Sequence, residues 1–237
     1  QHASAAFVGD SSVFGFLSPV RGTRYRYEFT TLTGDLKFQT ALADWRKYFF
    51  FNPVTVAVRG IYYGRSGNDA ESGRINPLYI GQDSLIHGYD INSIGPEECV
   101  ATPGSNTCPV FDRLVGSKIG VANFEVRVPL VGNQQFGLTS GFVPTEFFGF
   151  VDAGAAWSTD DGCRVQANLP PSAPVPSDCK LKWRFSNKNA TDRVPSVSAG
   201  AGVRLLLAYI PLEFYAAKPF QRPTKGWVTG FNIIPGW

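Results

Sequence analysis

The feature that most restricts the fold of this chain is an alternation of period two, recurring in segments of about ten residues. In 23–31, TRYRYEFTT, Tyr25, Tyr27 and Phe29 alternate with Arg24, Arg26 and Glu28. In 119–128, Ala122, Phe124, Val126 and Val128 alternate with Asn123, Glu125 and Arg127. In 196–205, Val197, Ala199, Ala201, Val203 and Leu205 alternate with Ser198, glycines and Arg204. A helix would smear both sets around its circumference, whereas a strand sends them to opposite faces. The pattern predicts strands at 3–9, 22–32, 35–50, 53–63, 117–129, 146–157, 195–208, 210–220 and 226–237. Most have the length, about 9–11 residues, that crosses a bilayer at a tilt.

The connections between these segments are unequal. Thr33-Gly34, Asn52-Pro53 and Tyr209-Ile210-Pro211 read as tight turns, while about 65–116 and 158–193 read as long loops. Short turns at one end and long loops at the other separate an outer-membrane barrel from a soluble sandwich. Trp45, Tyr48, Tyr62, Tyr63, Trp157, Tyr209, Trp227 and Trp237 fall near strand ends, where aromatic girdles are expected. The composition agrees: 14% aromatic residues, among them 19 Phe, with only 17% charged. No apolar run is long enough for a transmembrane helix. With no repeat and no linker, 1–237 reads as a single domain.

Other classes fall away. A net charge of +3 without a basic run gives nucleic acid no surface. Cys99/Cys108 and Cys163/Cys179 lie in polar stretches rich in Pro and Gly, without CxxC and with only 2 His in the chain. They read as two loop disulfides formed in an oxidising compartment rather than as a zinc site. There is no GxSxG elbow, phosphate loop or HExxH, and His87 is the single His away from the terminus, so no catalytic residue, metal or cofactor is expected.

Several segments resemble the bacterial surface antigen family, the BamA-type and TamA-type outer-membrane assembly factors. Phe150-Val151-Asp152-Ala153-Gly154 is similar to the family's FxDxG strand motif. Ile86-His87-Gly88-Tyr89 stands where the family has the RG[F/Y] motif of a loop that folds back into the lumen. Segments 123–129, 198–204 and 211–220 resemble the strands that follow, and 231–237, with Phe231, Ile233 and Trp237, the aromatic-terminated last strand. The resemblance implies an all-β, antiparallel transmembrane barrel. Its nine or so strands would be the C-terminal part of a barrel of about sixteen. It also implies insertion or translocation of other polypeptides at the bacterial outer membrane, through a weak seam between first and last strands.

Within that frame Asp152 shares a face with Phe148, Phe150, Gly154 and Ala156, opposite Val151, Ala153, Ala155 and Trp157, and points into the lumen. In the family the loop arginine pairs there with acids, here Glu125 and Asp152. The chain departs at that arginine, which is His87, without the guanidinium fork. The expectation is that 81–92 enters the lumen and brings His87 to Glu125 or Asp152. Expected partners are membrane lipid, other outer-membrane or periplasmic proteins, and a chain covering the edges at 3–9 and 226–237. With no Met and no leader in the sequence, that cover is expected to be the barrel's missing N-terminal half or another barrel chain. The alternative function is a scaffold barrel within a larger outer-membrane complex, which the absence of a POTRA-like module in this sequence and the departure at His87 both favour.

Overall fold

The computed structural model describes residues 1–102, 105–132, 138–176, 179–185, 193–222 and 224–233. Nine strands follow one another as an antiparallel meander. They are β1 (His2–Asp10), β2 (Pro19–Leu32), β3 (Phe38–Phe51), β4 (Val54–Ser66), β5 (Lys118–Gly132), β6 (Thr145–Trp157), β7 (Ser196–Leu207), β8 (Ile210–Pro219) and β9 (Val228–Ile233). Each pairs with its sequence neighbours, and among the described residues β1 pairs only with β2 and β9 only with β8. The fold is all-β.

The sheet curls. In a flat sheet β2 and β6 would stand about 19 Å apart, four inter-strand spacings. Ser18, at the start of β2, nevertheless donates to Glu146 of β6 at 2.7 Å, and the Pro19 carbonyl accepts from Arg127 of β5 at 3.3 Å. Segment 15–20 therefore lies across the turn end of the concave side.

The two faces differ as the alternation requires. On β5, Ile119, Val121, Asn123, Glu125 and Arg127 are buried, while Phe124 is exposed. On β6, Phe148, Phe150, Asp152 and Ala156 are buried, while Phe147 and Val151 are exposed. The long loop 67–117 fills the concave side: Ile80, Ile86, Tyr89 and Leu114 pack with Ile61, Ile119, Val121 and Ala156 from β4, β5 and β6.

Two sequence expectations change. Following the meander, 33–37 joins β2 to β3 at the same end as the long loops, opposite 52–53 and 208–209. Tight turns are thus not confined to one end. Tyr48 and Tyr63 do not belong to a girdle either. Tyr48 is buried inside beneath the Arg127 guanidinium, and Tyr63 packs on the loop cluster. Proximity to a strand end was the wrong criterion for these two, because strand parity decides which face a ring occupies.

Candidate functional site: a charged loop dock in the lumen

The site forms where the inner faces of β5 to β8 meet the loop. Asp152, fully buried on β6, accepts at one oxygen from the His87 backbone N–H at 3.1 Å and lies 2.6 Å from His87 Nδ1. Its other oxygen accepts from Asn123 Nδ2 at 2.8 Å, and the same amide reaches the Leu85 carbonyl at 2.7 Å. His87 Nε2 lies 3.3 Å from Glu213 of β8. With a carboxylate at each nitrogen, both nitrogens serve as donors only in the imidazolium form. Burial works against that charge, but the bonds to Asp152 and Glu213 outweigh it and raise the His87 pKa to about 10. The ring lies 4.2 Å from Phe150 at a tilt of 35° and meets Tyr215 edge-on at 4.6 Å.

Glu125 is not part of this contact. Its carboxylate is occupied by Arg127 at 2.7 Å and by the Arg204 fork at 2.9 and 3.0 Å. Arg204 also donates to Glu213 at 2.6 Å and Glu146 at 3.3 Å, and its guanidinium lies 4.0 Å over Phe148. Glu213 therefore joins the His87 pair to the arginine network, and Asn232 of β9 donates to it at 3.0 Å. A concave face that buries this many charges is tolerable because each is paired and hydrogen-bonded.

Gly88 and Tyr89 carry the loop onward. Gly88 has φ +80°, a conformation suited to glycine, and sits against Ala217. The Tyr89 hydroxyl accepts from the Gln221 N–H at 3.2 Å and lies 2.9 Å from Gln221 Oε1. Next to it Arg222, in the β8–β9 connection, is completely buried. It donates to Glu98 at 2.7 and 2.5 Å, to the Gly88 carbonyl at 2.6 Å, and to Ser93 through its hydroxyl at 2.8 Å and its carbonyl at 2.6 Å. Burial opposes ionisation of Glu98, but bonds from Arg222 and the Gly95 N–H hold its carboxyl below the usual range. One arginine thus ties three points of the loop to the last hairpin.

The profile of the Omp85 superfamily domain matches residues 16–235. The chain belongs to the Omp85 superfamily. Omp85 proteins are outer-membrane proteins, and the superfamily comprises non-enzymatic factors for polypeptide insertion and translocation. In this Omp85 domain, Phe150 and Gly154 of the strand motif lie on the inner face with Asp152; Phe150 carries the His87 ring and Gly154 abuts Ile86. On β9, Phe231 and Ile233 face outward, Phe231 packing 4.9 Å from Phe214. Trp237 lies outside the described residues. Cys99–Cys108 and Cys163–Cys179 are disulfides, both within the long loops.

The alternation did not single out Arg127, Glu146, Arg204, Glu213 or Arg222 as site residues. For Arg204 and Glu213 the pairing is set by the turn. A two-residue turn at Ala208-Tyr209, both with positive φ as a type I′ turn needs, sets Leu207 opposite Ile210 and hence Arg204 opposite Glu213. Arg222 has no local signal, since its partner Glu98 is 124 residues away.

Proposed function

We propose that this chain is part of the transmembrane barrel of a bacterial outer-membrane factor of the BamA and TamA type, which inserts or translocates other polypeptides. The observation that carries the reading is the loop dock: His87 held between Asp152 and Glu213, inside a curled meander whose chain matches the Omp85 domain. The loop acts as an internal strut that keeps β5 to β8 in register. In this reading 1–237 is one partial barrel domain, and the loops at about 65–116 and 158–193 face the exterior. The edges of β1 and β9 are covered by further strands, from the N-terminal half of the barrel or from another chain. Left in lipid, those edges would expose backbone groups at several kcal/mol each. The seam at β9 is where an incoming strand adds by β-augmentation.

A scaffold without insertase activity is favoured by one observation, the buried Arg222–Glu98 tie that fixes the loop to the last hairpin. Reconstitution in vesicles separates the two. Faster insertion of an unfolded client barrel in the presence of the protein is expected. A stable stoichiometric complex with other envelope proteins and no acceleration would overturn the insertase reading.

A further inference from the structure

The charges that meet on the concave face do not balance. The connected network sets the carboxylates of Glu125, Glu146, Asp152 and Glu213 against Arg127, His87 and Arg204. Glu125 takes two guanidinium groups, while Asp152 and Glu213 share His87, with Arg204 also on Glu213. Glu146 has the smallest share. Among the described residues its cationic contact is Arg204 Nη1 at 3.3 Å, and that nitrogen also serves Glu125 at 3.0 Å. Yet Glu146 is only 5% exposed. A carboxylate buried this far without a counter-charge of its own is costly.

A cavity lies against it. It has a volume of about 20 Å³ and sits between the segment 15–20 and the turn ends of β3 to β6. A single water-sized occupant needs about 10–15 Å³, so the cavity suits one atom-sized guest. Its polar side chains all offer oxygen: Ser18, Thr55, Thr145 and Glu146. Ser18 spends its proton on Glu146 and Thr145 on the Val143 carbonyl at 3.0 Å, so both oxygens keep lone pairs to offer. Thr55 is 2% exposed, and its hydroxyl makes no bond among the described residues. A buried hydroxyl of this kind calls for a partner, a water or an ion. Neither Arg127 nor Arg204 lines the cavity, so no guanidinium of the network fills it.

We propose that this cavity is a binding site for a monovalent metal cation of sodium size. Glu146 supplies the charge, and the Ser18, Thr55 and Thr145 oxygens supply the neutral, hard donors that such an ion prefers. One ion brings the network to neutrality. A divalent ion fits worse, because calcium takes 6–8 oxygens at a time and would leave a net positive charge beside a single carboxylate. Ser18 precedes β2 and Glu146 belongs to β6, so the ion pins 15–20 across the turn end. The site needs only the network and this segment, and does not depend on the insertase reading.

The test is amide hydrogen exchange of the detergent-solubilised full chain in sodium chloride against choline chloride, at equal ionic strength and pH 7. Protection across 15–22 should rise saturably with sodium and not with choline, which is too large to enter. Glu146→Gln removes the excess charge and should protect the segment equally in both salts. Thr55→Val keeps the shape, removes one ligand and should raise the sodium midpoint roughly tenfold. That second variant carries the test where Glu146→Gln does not fold. Equal protection of the wild type in the two salts, a sodium response that survives Glu146→Gln, or an unmoved midpoint in Thr55→Val would each overturn the site. So would protection in choline that rises as pH falls and ignores sodium, the mark of a proton on Glu146 in place of an ion.

Discussion

Replacing Asp152 by Asn keeps the shape of the dock and removes its charge. The amide oxygen can still accept from Asn123, which leaves the new NH2 facing His87, donor against donor. Two routes give the magnitude. Raising the His87 pKa from an ordinary 6.5 to about 10 corresponds to about 4 kcal/mol of docking free energy at pH 7. Breaking a buried ion pair by removing one partner costs about 3–5 kcal/mol. Asp152 takes the larger share, since it holds both the ring at 2.6 Å and the His87 N–H, whereas Glu213 stands at 3.3 Å. A loss of about 2–3 kcal/mol is expected, or roughly a 30- to 150-fold rise in the undocked loop. Amide hydrogen exchange across 85–92 at pH 7 measures it, with β2 and β3 as internal controls for an intact sheet. Protection in Asp152→Asn within about threefold of wild type, with the controls unchanged, would refute the dock as the loop's main attachment.

The same pair makes docking depend on pH. A group whose pKa is higher when docked binds its proton more tightly there. The His87 contribution is therefore present in full below about 6.5 and is lost as pH rises through about 10. Protection of 85–92, corrected for intrinsic exchange, should fall across that window, and His87→Arg should flatten the profile; a flat wild-type profile would refute a charged His87. At the rim, Arg222→Met leaves Glu98 buried and unpaired and should expose 88–98 to protease, at a local cost of about 3–5 kcal/mol. Adding Glu98→Leu should restore most of that resistance, and no restoration would mean that the pair is not what holds the rim.

Much of the fold could be read from alternation because one face of each strand meets a different medium from the other. Parity placed Asp152 and Glu125 inside for that reason, and the nine predicted segments overlap the nine long strands. Parity cannot say which cation meets which acid. Glu125 turned to Arg127 and Arg204, and His87 to Asp152 and Glu213, because distances across a curled sheet depend on its curvature. Which end of the sheet a turn occupies depends on counting every strand before it, and that count sets 33–37 at the long-loop end although its length suggests the other. Arg222 was invisible because nothing in its neighbourhood in sequence resembles a loop anchor.

The way the lumen charges are distributed among strands bears on the order of assembly. On their inner faces β5 and β6 together carry Glu125, Glu146 and Asp152 against Arg127 alone, so this hairpin has two carboxylates in excess. β7 and β8 bring Arg204 with Glu213, and the loop brings the imidazolium of His87. A β5–β6 hairpin entering lipid first would take its excess charge in without counterions, at several kcal/mol for each uncompensated group. Strand-by-strand entry is thus disfavoured, and the fold rewards a route in which β5 to β8 and the loop gather at the membrane surface, bringing three cations to these four carboxylates, before any of them crosses.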